Sequence, residues 1–268
     1  MGNFFGGYTA SALRSVVVLL ILVPIAKATG GFEPIRWRRN RFNLLGLLFF
    51  SLFIWGPLYY AILHAGVGVS LTINYACIVM GMFFFGWQFG GEVFTKDKLV
   101  SAMLGLTGLI LVFLPTVHHI GVVPLLASVL SGFATAANMV IAKLIKYRAT
   151  QSTIMLWVSS VVANLAMALL LGESSPRIGL YIPWFYLLCF AVASLVASWA
   201  FVSGVKRIDA GAAGILGLLE IVFGVFFGIA FFHERPSAVV LLGVIVIILA
   251  AAIPYTKDYS AQRGTRGN

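Results

Sequence analysis

The chain has 268 residues, of which 61% are hydrophobic and only 10% charged, with a mean hydropathy of +1.02. That composition excludes an ordinary aqueous domain, because a soluble chain is about a quarter charged and one of this length cannot fold so much apolar surface into a single core. The net charge of +10 then reads as basic residues in cytoplasmic loops, so membrane lipid is the expected surrounding and nucleic acid is not an expected partner.

A membrane-crossing helix needs about 20 mostly apolar residues, and runs of that length must be helical because unpaired backbone groups cannot lie in hydrocarbon. The sequence predicts nine such spans, in chain order Thr9–Ala26, Asn43–Leu63, Val67–Phe89, Leu99–Val117, Val122–Ile145, Thr153–Leu171, Pro183–Val205, Ala210–Phe232 and Ala238–Ile253. The expected class is an all-α polytopic membrane protein. Span 1 has Arg14 inside it and no small-x-small site after it, so it reads as a membrane helix and not as a cleaved leader. Pro57 should break span 2. Cys77 and Cys189 fall inside apolar runs and read as small core residues. Residues 257–268 form a polar stretch expected to be a disordered cytoplasmic tail.

Nine spans divide the 18 Lys and Arg into fifteen on one side and three (Arg14, Arg177, Arg235) on the other. The basic side is cytoplasmic, which puts the C-terminus inside and the N-terminus outside.

Sliding the sequence against itself by 142 positions lays GMFFFGWQFGGE, ending at Glu92, over FGVFFGIAFFHE, ending at Glu234. Each segment closes a long apolar run on a Glu and precedes another run. The shift corresponds to five spans, an odd number, so the copies have opposite orientation. Residues 1–117 make a first repeat of four spans and residues 118–256 a second of five. The member without a counterpart would precede span 1.

The stretches Val205-KRIDAGAAGILGLLEIVFGVFFGIAFFHERPSAVVLLG-Val244 and, more faintly, Tyr60-AILHAGVGVSLTINYACIVMGMFFFGWQFGGEVF-Thr95 resemble an EamA-type member of the drug/metabolite transporter superfamily. The likeness extends from Thr9 to Pro254. It implies two inverted five-helix repeats in the cell (inner) membrane, with both termini cytoplasmic, moving small metabolites, amino acids, drugs or nucleotide sugars. The chain lacks that family's first helix. It carries Ile221 where the family has a proline after the glutamate, and Val79 at the matching place in the first half.

Glu220 is the one acid deep in an apolar run. At the bilayer midplane such a residue costs about 3 kcal/mol, so it should turn away from lipid. It is a candidate protonation site, or a contact for a cationic group of a substrate. The structural alternative is a protonated carboxyl bonded to a neighbouring carbonyl. Arg14 is the one intramembrane basic residue that could partner it. Trp55, Tyr59, Asn74, Tyr75, Asn138 and Trp199 are the further polar or aromatic residues expected to line a cavity at the repeat interface, although each alone is equally a packing residue. Glu92 and Glu234, with Lys96 and Arg235 nearby, read as anchors at the water boundary. Glycines 211, 214, 217, 224 and 228 lay a small-residue stripe along span 8, read as close helix packing.

No Gly-x-x-x-x-Gly-Lys occurs, nor any His-Glu-x-x-His or acidic cluster, and His64, His118, His119 and His233 lie near span ends. Neither catalysis nor a cofactor nor a metal is expected. The reading is a secondary transporter, an exporter of a small-molecule substrate, with proton coupling through Glu220 and room for a homodimer. The alternatives are a non-transporting scaffold or inactive truncated transporter, and behind them an intramembrane enzyme.

Overall fold

A computed structural model of the chain describes residues 6–33, 37–93, 95–116, 121–173 and 181–265, and every regular element among them is a helix. In order these are α1 (Gly7–Ala28), α2 (Trp37–Ser51), α3 (Trp55–Ala65), α4 (Val67–Gly90), α5 (Lys96–Phe113), α6 (Val122–Leu144), α7 (Ala149–Leu170), α8 (Tyr181–Val205), α9 (Ala210–Gly217), α10 (Leu219–Phe232) and α11 (Ala238–Thr265). A short 3₁₀ turn, Leu114–Thr116, ends α5. His118, His119 and Arg177 lie outside the described residues.

Seven segments are long and apolar enough to cross a membrane, counting α2 with α3 and α9 with α10 as continuous spans. The other two predicted spans fall on α5, whose first turn carries Lys96, Asp97 and Lys98, and on the apolar stretch Ala238–Ile253 of α11. Large apolar side chains such as Leu20, Leu169, Leu170 and Phe231 stand exposed on these helices. That arrangement is costly in water and neutral in lipid. The chain is an integral, multi-pass membrane protein. The polar stretch expected to be disordered is helical as far as Thr265, as a continuation of α11.

Two spans are interrupted. Between α2 and α3, residues 52–54 form a turn in which the Leu52 and Phe53 amides reach back only three residues, to the Phe49 and Phe50 carbonyls. Pro57 explains it: proline lacks the N–H that would bond the Phe53 carbonyl, and its ring clashes with that group. Between α9 and α10 the break is at Leu218, where the Leu218 and Ile221 amides make the same shortened bonds to Ile215 and Leu218. No proline is present here. The preceding Gly211, Gly214 and Gly217 make α9 an intrinsically weak helix instead, at about 1 kcal/mol per glycine relative to alanine.

The chain forms two compact units that interleave the sequence. The first holds residues 1–60 and 137–207, the second residues 61–136 and 208–268. In the first, α1 runs antiparallel to α7 around Val18, Leu22, Ala26, Ile154 and Trp157. The Ser15 and Ser160 hydroxyls meet between them at 2.9 Å. Lys206, at the end of α8, donates to the Ile145 carbonyl at 2.7 Å, at the C-terminus of α6, and burial pushes its ammonium pKa down.

In the second unit α4 runs antiparallel to α9, and α5 to α11. Methyl groups placed on Gly211 and Gly214 of α9 would lie 2.6 Å from Phe83 and 3.0 Å from Met82 of α4, so these two glycines serve close packing. Gly224 has nothing within 4 Å and takes no part in it. The α5–α11 contact sets backbone against backbone, because a methyl on Gly108 would sit 2.8 Å from the Gly243 carbonyl and one on Gly243 2.7 Å from the Gly108 carbonyl. Seven residues before Gly108, the Ser101 hydroxyl donates to the Ala250 carbonyl. An offset of 142 pairs Ser101 with Gly243 and Gly108 with Ala250. The two contacts therefore exchange under that offset.

Helix ends follow the same offset. Five described residues have left-handed backbone, and four of them form two pairs 142 apart: Gly30 (φ 65°) with Gly172 (62°), and Gly91 (65°) with His233 (54°). The bonds match as well. Gly31 and Glu173 donate to Ala26 and Ala168 at 2.8 and 2.9 Å, while Glu92 and Glu234 donate to Gly86 and Gly228 at 3.2 and 3.1 Å.

Candidate solute-binding site

Glu220 sits in the first turn of α10, immediately after the break at Leu218. A negative charge there is favoured by the amides and dipole of a helix N-terminus. The residue is exposed on the surface of the second unit, beside Tyr75 of α4. The interruption of span 8 and the antiparallel packing of α4 on α9 together bring these two residues into register. Asn74, next to Tyr75 in sequence, turns the other way: it is buried and its amide donates to the Ser131 hydroxyl at 2.9 Å, on α6. It ties α4 to α6 and does not join the Glu220 pair.

The remaining residues expected at the site belong to the first unit. Asn138 is buried, donating to the Leu47 carbonyl at 3.1 Å and the Ser51 hydroxyl at 2.9 Å. Ser51 in turn meets Ser159 at 3.2 Å, so this polar seam holds the last turn of α2 where span 2 breaks. The Trp199 indole, on the exposed face of α8, donates to the Thr150 hydroxyl at 3.2 Å. Trp55 and Tyr59 stand together on α3, and both face Arg14 of α1.

Arg14 carries more than the sequence assigned to it. Offered there as a partner for Glu220, it is packed at 2% exposure with its guanidinium 3.9 Å from the Trp55 ring, 4.6 Å from Phe190 and 5.4 Å from Trp157. Such contacts contribute about 0.5–2 kcal/mol each, set against several kcal/mol for desolvating the charge. The available signal was a lone ionisable residue in a span. Its companions come from three other helices and could not be collected from spacing.

The two boundary glutamates also have specific work. Glu92 reaches across to α9 and accepts from the Ala210 amide with both oxygens, at 2.9 and 2.7 Å, and Lys98 pairs with Asp209 beside it. Glu173, at the end of α7, does the same for α1, accepting from the Tyr8 and Thr9 amides at 3.1 and 2.7 Å. Each carboxylate satisfies the open amides at the start of a neighbouring helix. Glu92, expected as an anchor beside Lys96, is thus a helix cap supplied from another helix. Cys77 is buried as expected, whereas Cys189 is exposed.

Among curated proteins none matches the sequence. A solved structure titled only as a crystal structure of a protein superposes with a TM-score of 0.76 at 16% identity, over 92% of this chain and 88% of that one, so the two share a fold. The pattern of the EamA-like transporter family matches residues 123–256, half of the chain. With its many apolar helices and a match that runs from α6 into α11, the chain belongs to the EamA-like transporter family of the drug/metabolite transporter superfamily.

Proposed function

We propose that the chain is a secondary exporter of small metabolites such as amino acids or drugs, working by alternating access of two inverted repeats, residues 1–117 and 118–256, with proton exchange at Glu220. The observation that carries this reading is the Glu220–Tyr75 pair on the first turn of α10, just past a break in a membrane span. Interrupted helices are where transporters expose backbone and acidic groups to solutes and ions, because helix ends supply unpaired polar groups inside the membrane. An exposed carboxyl beside a tyrosine can release and take up a proton without rebuilding the helix around it. Nine membrane crossings, with the C-terminus in the cytoplasm of a cell (inner) membrane, follow from the Lys and Arg distribution. The reciprocal α5–α11 contacts and the paired helix ends support the repeat.

The test is export. Pools of intracellular amino acids and small metabolites are compared in cells expressing the chain, the Glu220→Gln variant at equal membrane level, or an empty vector. The reading expects at least one solute to leave faster with the chain, and the gain to be lost with Glu220→Gln. Pools identical to the empty vector would contradict it.

A further inference from the structure

We propose that Arg14 is a binding site for a carboxylate, so that the transported solute is a small organic acid or another molecule bearing one carboxylate. Arg14 stands two turns into α1, with its guanidinium carbon 3.9, 4.6 and 5.4 Å from the ring centres of Trp55, Phe190 and Trp157. Its Nε and Nη2 are buried and have no hydrogen-bond partner among the described residues. These two nitrogens point their N–H groups in the same direction, and together they form the fork that grips the two oxygens of a carboxylate. Burying an arginine fork is costly unless its N–H groups are paired, and an anion would pair both.

A cleft lined by Ala10, Ser11, Arg14, Tyr59, Leu187 and Phe190 has a free volume of about 10 Å³, room for one water, so a carboxylate enters only when α1 and α8 move apart. Its lining identifies the class of ligand. Among the described lining residues Arg14 is the one cation, which suits a single negative charge better than a phosphate dianion. Phe190 and Leu187 offer apolar surface to the rest of the molecule, and Tyr59 a hydroxyl. Ser11 already spends its hydroxyl on the Gly7 carbonyl at 2.9 Å.

This choice of solute class rests on the transporter reading, but the site can be tested without flux. Equilibrium binding of radiolabelled benzoate is measured on the purified full chain in phosphatidylcholine nanodiscs, which offer no lipid carboxylate. Unlabelled benzoate, acetate, benzamide, phosphate and chloride serve as competitors. Saturable binding is expected, displaced by benzoate and acetate but not by benzamide, which has the same shape without the charge. Arg14→Lys keeps the charge and loses the fork, and should weaken binding by at least about tenfold. Equal competition by benzamide, stronger competition by phosphate or chloride than by acetate, or no saturable binding up to about 10 mM would each overturn the proposal. So would unchanged affinity in folded Arg14→Lys. If that variant does not fold, the benzoate–benzamide comparison on the unmutated chain decides alone. Binding retained in a chain that exports nothing supports the site and overturns the transporter reading, whereas export without benzoate binding overturns the site.

Discussion

Gly91 and His233, 142 residues apart, close α4 and α10 with the same left-handed residue, at φ 65° and 54°. In both, the next residue is a glutamate whose amide reaches back to the carbonyl of a helix glycine, Gly86 or Gly228. Glycine adopts this backbone without steric cost, while histidine does so at about 1 kcal/mol. His233→Gly should therefore stabilise the protein by about 0.5–1 kcal/mol and Gly91→Val should destabilise it by more than that. Thermal unfolding in detergent checks both, and a lower midpoint for His233→Gly would show that its side chain matters more than its backbone.

The α5–α11 crossing makes a sharper contrast. Gly108→Ala or Gly243→Ala drives a methyl group into the opposing backbone and should cost about 1–3 kcal/mol. Gly224→Ala meets nothing within 4 Å and should be neutral or slightly stabilising, since alanine is the better helix former. The ranking of the three by fraction surviving a heat challenge is the measurement; equal losses would mean that backbone approach does not hold this pair.

Glu92 caps α9 from the end of α4. Glu92→Ala should cost about 1–2 kcal/mol, and Glu92→Gln, which keeps an acceptor for the Ala210 amide, clearly less. Hydrogen exchange at the start of α9 reads the effect locally. If glutamine is as damaging as alanine, charge and not hydrogen bonding is what the helix start requires.

Much of this was readable before any coordinates. The apolar runs locate the helices, because length and hydropathy are all that a bilayer demands of a span. Pro57 marks the break in span 2, and Glu220 is conspicuous as an acid in an apolar stretch. The break at Leu218 was hidden, because it follows from three glycines acting together and not from a proline. The Arg14 cluster was hidden too, since residues 14, 55, 157 and 190 come from four helices. The 142-residue offset left few identities in the sequence, yet it persists in the backbone. A helix end needs only a residue tolerant of positive φ, so glycine and histidine can stand for one another while the register is kept.

Reporters test the orientation. A fusion after Thr256 should be cytoplasmic and one before Thr9 on the opposite side, from the fifteen-to-three division of Lys and Arg. Both reporters on one side would mean an even number of crossings.

Glu220 carries the central claim, that solute movement is exchanged for protons at its carboxyl, beside Tyr75. The direct measurement loads proteoliposomes with a pH-sensitive dye and imposes a gradient of the solute found in the export screen. The unmutated chain should shift the internal pH as solute moves. Glu220→Gln, which keeps the shape but cannot ionise, should abolish the pH shift. Solute flux without any pH shift in the unmutated chain, or an identical shift in Glu220→Gln, would contradict the account.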